Sequence, residues 1–133
     1  MTMNDTLTEA WIAVCRIDDI PPLGSRRILR PEHPEAAPVA LFRTSDDEVH
    51  ALLDRCPHQG GPLSQGLVFG KAVACPLHNW TIELRTGCAR EPDEGRTPRF
   101  EVKLLEGQVL LLASELASLG TEALSPSACG RRC

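Results

Sequence analysis

Along most of the chain apolar and polar residues alternate with period two, in short runs separated by proline, glycine and acidic residues. On an extended backbone, side chains two apart share a face, so such runs predict half-buried strands. The pattern predicts strands over 11–17 (WIAVCRI), 26–30 (RRILR), 38–43 (PVALFR), 49–54 (VHALLD), 71–75 (KAVAC), 80–84 (WTIEL), 99–105 (RFEVKLL) and 108–113 (QVLLLA). Between them PPLG, RPEHPEAA, TSDDE, RTG and LEGQ hold residues that preset or relax the backbone for turns. TSDDE is expected to form a hairpin that pairs 38–43 with 49–54. Many short strands and almost no amphipathic helix predict an all-β antiparallel sandwich or barrel. After Ala113 the alternation stops: SELASLGTEALSPSACGRRC has one short helix-compatible piece and then a small-residue, basic end. Residues 9–113 are therefore expected to form one domain and 114–133 a mobile C-terminal tail.

Composition narrows the function. A chain of 133 residues suits a single core. Its 14 basic against 18 acidic residues, a net charge of -4, argue against nucleic acid or an anionic membrane as the main partner. There is no run of 18 apolar residues, and MTMNDTLTEAW carries an acid and no base, so neither a transmembrane helix nor a secretory signal is expected and the chain reads as cytoplasmic. In a reducing compartment, closely spaced cysteine and histidine point to metal binding or catalysis rather than to a disulfide framework. Of the six cysteines, Cys15, Cys88, Cys129 and Cys133 read as bystanders.

The remaining two stand in RCPHQGGPLSQG (55–66) and ACPLHNW (74–80), which together read Cys-x-His, sixteen residues, Cys-x-x-His. Cys56, His58, Cys75 and His78 thus lie at strand ends or in the loops leaving them, where two loops of one sandwich can converge. Thiolate and imidazole suit zinc, copper or iron-sulfur chemistry, whereas magnesium or calcium would require carboxylates. Zinc modules usually pair like ligands at short spacing, while here each loop supplies one cysteine and one histidine. That split matches a [2Fe-2S] cluster with two thiolates on one iron and two imidazoles on the other. A zinc site and chance coincidence are the competing readings. Gly60, Gly61 and Gly66 are expected to admit close approach and positive φ, aiming amide N–H groups at the bridging sulfides, and Pro57, Pro62 and Pro76 to stiffen the loops.

The motifs CPHQGGPL (56–63) and CPLHNW (75–80) resemble the two cluster loops of Rieske [2Fe-2S] proteins, and the strand pattern from Trp11 to Ala113 is similar to that family's antiparallel fold, with a cluster-binding subdomain formed by the two loops. The stretch from Val39 to Gly95 resembles, more narrowly, the small subunit of NADH-dependent assimilatory nitrite reductase. The resemblance implies one [2Fe-2S] cluster per chain, with Cys56 and Cys75 on one iron and His58 and His78 on the other through Nδ1. It implies a third, proline-containing covering loop at 87–92. It also implies a large partner subunit that binds FAD, NADH, a [4Fe-4S] cluster and sirohaem and reduces nitrite to ammonia. Two alternatives stand beside this: a Rieske ferredoxin that feeds an aromatic-ring dioxygenase, and a non-redox scaffold subunit. No dinucleotide fingerprint or acid-base set is present, so no stand-alone catalysis is expected.

High-potential members of the family brace the cluster with a disulfide between extra cysteines in the two loops; here those positions are Gly61 and Leu77. They also place serine and tyrosine hydroxyls where this chain has Trp80 and Ile82, and the chain has no tyrosine at all. Fewer donors to sulfur imply a low potential for the family. His33 and His50 are expected to be exposed or locally satisfied, and Asp46, Asp47 and Glu48 to form a solvated turn that could steer docking.

Overall fold

The structure is a computed structural model that describes residues 10–34, 36–56, 61–76, 80–90 and 95–119. Among the described residues, ten strands form three antiparallel sheets. The first joins β1 (Trp11–Arg16), β10 (Gln108–Leu112) and β9 (Val102–Leu105), in that order. The second joins β2 (Ser25–Ile28), β3 (Val39–Arg43), β4 (Val49–Leu53) and β8 (Arg99–Phe100). The third is a small sheet of β5 (Leu67–Phe69), β6 (Ala72–Ala74) and β7 (Thr81–Glu83). The expected hairpin pairs β3 with β4, Leu41 opposite Ala51, and the Thr44 amide donates to the Glu48 carbonyl at 2.9 Å.

The second sheet lies in the middle because strand alternation sends apolar side chains to both of its faces. Val39 and Leu41 join Val49, Ala51, Leu53, Phe100, Val109 and Leu111 in one buried group, which packs against the β1, β10, β9 sheet. Ala40 and Phe42 join Leu52, Val68, Val73 and Ile82 in the other, under the small sheet.

Two departures from the sequence reading have physical causes. The run 99–105 is two strands, because the Glu101 amide donates to the Glu115 carboxylate at 2.8 Å and leaves the ladder. The chain thereby crosses from the middle sheet, where Phe100 faces Ala51, to the outer one, where Val102 faces Leu111. β5 was not expected, since in LVF only Val68 points inward and Leu67 and Phe69 face solvent. Beyond β10 the chain turns into helix α1 (Ala113–Ser118), with Leu116 and Leu119 against the core. Buried Arg30 fastens its end by donating to the carbonyls of Leu119 and Ala37, each at 2.6 Å, with its guanidinium 5.6 Å from the Phe100 ring centroid. The rest of the expected tail lies outside the described residues.

Gly66 does not have the positive φ expected of it: its φ of -83° suits any residue. Glycine is needed because a Cβ there would collide with the Ala74 carbonyl where β5 begins to pair with β6. Gly70, with φ +56° and open space around it, needs glycine for backbone reasons alone. Gly70→Ala is expected to cost about 1–2 kcal/mol from the left-handed conformation. Gly66→Ala is expected to cost more despite its ordinary φ, because backbone must move; denaturant midpoints of the two variants check the order.

Lys71, in the β5–β6 turn, ties the small sheet to the hairpin through Glu48 at 2.7 Å and Asp46 at 3.1 Å. The Thr44 hydroxyl and then Lys71 hold the Asp46 carboxyl below its usual range, and Lys71 and then His50 do the same for Glu48. Because both carboxyls titrate lower in the folded chain, their contribution is present above the unfolded carboxylate pKa and is lost as pH falls through the folded values. These exposed groups add little at neutral pH. In Lys71→Met the thermal midpoint should therefore fall less steeply with acidification below about pH 5 than in the parent chain; coincident curves would contradict this.

Candidate functional site

Cys56 follows the end of β4 and Cys75 the end of β6, and both are buried, at 2% and 1% exposure, within the same group as Phe42, Leu52, Leu63, Val73 and Leu84. The two thiols expected from sequence are thus brought into one shielded region. His58 and His78, with Pro57, Gly60 and Leu77, lie outside the described residues.

The mouths of the two loops are closed in the same way. The Cys56 amide donates to the Gly61 carbonyl at 2.7 Å, and the Cys75 amide donates to the Trp80 carbonyl at 2.7 Å. Each bond spans five residues and satisfies the amide of a buried residue that no strand ladder serves. A third loop is closed at its neck by the Ala89 amide donating to the Gly95 carbonyl at 2.9 Å, and Gly87 anchors it with φ +79° and an amide bond from Thr97 at 2.9 Å. This is the region expected to cover the site; residues 91–94 lie outside the described residues. Trp80 packs against the core group that holds both cysteines, and Ile82 is fully buried opposite Val73.

Sequence reasoning passed over Asp54, which ends the predicted strand two residues before Cys56. Its side chain is fully buried and accepts from the Ser64 amide at 2.7 Å, the Ser64 hydroxyl at 2.8 Å and Arg27 Nε at 3.0 Å. The Ser25 hydroxyl donates to the Ser64 carbonyl. The Asp54 amide donates to the Pro38 carbonyl at 2.9 Å. One carboxylate therefore joins the middle sheet to the short 3₁₀ turn Leu63–Gln65 at the far end of the first loop. A lone acid at a strand end is too common a feature to announce this.

His50, Cys15 and the hairpin acids have settings of their own. His50 is satisfied locally, 3.1 Å from Glu48, and faces a surface groove of about 670 Å³ lined also by Lys71, Glu83, Arg85 and Arg90. Cys15 sits in β1 beside a register shift, and burial pushes its thiol pKa up, so it is less nucleophilic than a free thiol. The Asp46 and Glu48 carboxylates are paired with Lys71 rather than forming a bare acidic tip.

Two shielded thiols on loops with satisfied necks fit a soft metal group: thiolates bind iron or zinc, and burial keeps solvent from them. The sequence profile of the Rieske [2Fe-2S] domain matches residues 10–109. Ferredoxin CarAc of Metapseudomonas resinovorans is 34% identical over 104 residues, covering 77% of this chain and 94% of that protein. The 4beta-methylsterol monooxygenase of Methylococcus capsulatus is 42% identical over 73 residues, 49% of this chain but only 19% of that protein. The chain thus spans about a fifth of that oxygenase and nearly all of the ferredoxin. Among solved structures, a chain from a complex of reduced oxygenase and oxidized ferredoxin in carbazole 1,9a-dioxygenase aligns with TM-score 0.67 and 30% identity over 88% of this chain and 99% of that one. A protein described as a nitrite reductase NADPH small subunit aligns with TM-score 0.65 and 29% identity over 78% and 99%. This chain belongs to the Rieske [2Fe-2S] domain family, as an electron-transfer domain whose cofactor is a Rieske-type [2Fe-2S] cluster.

Proposed function

We propose that the chain is the electron-transfer small subunit of an NADH-dependent nitrite reductase, and that Cys56 and Cys75 hold one iron of its cluster and His58 and His78 the other. The observation that carries the partner assignment is the resemblance of the stretch from Val39 to Gly95 to such subunits. It is supported by the alignment with a nitrite reductase small subunit over 99% of that protein's length. When bound, the cluster takes up and releases one electron at a time. Around it the chain supplies shielding and fixed geometry: the buried thiols are kept from water, and each cysteine amide is held by the carbonyl five residues on. Substrate reduction belongs to a large subunit with FAD, a [4Fe-4S] cluster and sirohaem. A second reading, a ferredoxin that donates to an aromatic-ring dioxygenase, is favoured by the 34% identity to ferredoxin CarAc along 94% of its length.

Purified protein is expected to contain iron and acid-labile sulfide in equal amounts and, once reduced, to give the EPR signal of a mixed-ligand cluster. Stoichiometric zinc without sulfide would refute the cofactor assignment. His58→Ala should lose the cluster, and the reconstituted complex with the sirohaem subunit should lose NADH-dependent nitrite reduction. Intact nitrite reduction by that variant would mean a scaffold role, whereas reduction by a separate small reductase and rapid donation to an oxygenase would establish the ferredoxin reading.

The potential should be low. At the two positions where high-potential relatives carry hydroxyls, this chain has the indole of Trp80 and the buried alkyl chain of Ile82, so neither hydroxyl is available to stabilise the more negative reduced state. Redox titration is expected to give a midpoint in the lower part of the roughly -150 to +300 mV Rieske span, and a value well above about +100 mV would contradict the assignment.

A further inference from the structure

Asp54 has no role in the ligand set, yet it is the fully buried acid on the segment that leads into Cys56. Burying a carboxylate is costly unless its oxygens are satisfied. Here three donors converge on it: the amide and hydroxyl of Ser64 and Nε of Arg27. The two Ser64 bonds cross ten residues of chain and close a ring around the whole first loop, outside the narrower closure between Cys56 and Gly61. Arg27 comes from β2, where it lies opposite Ala40 of β3, and Ser25 of the same strand grips the Ser64 carbonyl. Leu63, next to Ser64, is fully buried in the group that contains Cys56. Anything that shifts Ser64 therefore shifts the packing beside that thiol.

The placement also has an electrostatic side. Two residues of chain span at most about 7 Å between Cα atoms, so the backbone that carries the carboxylate is held next to that of Cys56. Its own side chain is excluded from water, while that of Arg27 is half exposed. Solvent screens the cation more than the anion.

We infer that Asp54 is a positioning residue for the cluster. Its carboxylate fixes the far end of the first loop through Ser64, and its charge pair with Arg27 biases the cluster's potential. The inference rests on Cys56 being a ligand, as proposed above. Reduction adds negative charge, so a fixed anion nearby opposes it and a fixed cation favours it.

The test uses the full chain with its cluster and three single variants, each assayed for iron and sulfide content, reduced-state EPR spectrum, midpoint potential and rate of iron loss to a chelator. Asp54→Asn is expected to raise the midpoint and Arg27→Gln to lower it. Ser64→Ala, which keeps both charges, is expected to lose iron several-fold faster with a displaced EPR spectrum. Midpoints that stay at the parent value or move in the same direction in the two charge variants would overturn the electrostatic part. Parent-like iron loss and EPR in Ser64→Ala would overturn the positioning part. Should Asp54→Asn fail to fold, Arg27→Gln and Ser64→Ala, which retain the carboxylate, decide the question on the same readouts. A parent-like cluster in Cys56→Ser, assayed in parallel, would show that the ligand assignment itself had failed.

Discussion

Strand β3 buries both of its faces, and the rest of the molecule follows from that constraint. Val39 and Leu41 demand cover on one side, Ala40 and Phe42 on the other, and all four are fully buried. A two-sided apolar strand cannot sit in a simple half-solvated sheet, so a layer must close over each face. The small β5, β6, β7 sheet is one of those layers. Three strands of three residues would not persist alone; Val68, Val73 and Ile82 give them a floor on Phe42 and Leu52. The positions of Cys56 and Cys75 are thus inherited from the middle sheet, since one leaves β4 and the other leaves β6 where it rests on that floor.

Holding two buried thiols on loops is a backbone problem as much as a side-chain one. The amides of Cys56 and Cys75 are out of the ladders and out of water, and an unpaired buried amide would cost roughly 1–3 kcal/mol. The carbonyls of Gly61 and Trp80 meet them, which also narrows each loop at its neck. At position 61, where high-potential relatives carry a cysteine that braces the cluster covalently, this chain uses the residue's carbonyl instead. The grip is directional and local, and Asp54 adds a wider one that reaches back to β2 through Arg27.

The legible parts of this arrangement were those written in local spacing. Cys-x-His and Cys-x-x-His can be seen without a fold, because ligands on a short loop must be close in sequence, and alternation in VALFR and VHALL announced the central hairpin. What escaped was set by distant partners. β5 is strand because Gly66 lets its start approach Ala74, and its own alternation is carried by Val68 alone. The break at Glu101 is made by Glu115, fourteen residues away and on a helix. Asp54 looked like an ordinary strand end, since its meaning depends on Ser64 ten residues on and Arg27 on another strand. Gly66 was singled out for close approach and positive φ; the close approach is there, to the Ala74 carbonyl, but the φ is ordinary, and which neighbour crowds it cannot be read from a turn-rich string.

The same reasoning explains why partner choice is harder to read than cofactor. Core positions such as Phe42, Leu52 and Ile82 answer to packing, and the proposed ligand positions would answer to iron, so neither demand tells a ferredoxin from a nitrite reductase small subunit that carries a cluster. Only residues that serve neither demand are free to differ between them. In this chain those include the outward side chains of β5, Leu67 and Phe69, and the groove residues His50, Arg85 and Arg90, none of which the core or the thiol loops enclose. A core and a ligand set that serve several partners must leave the distinction between them to such surface positions.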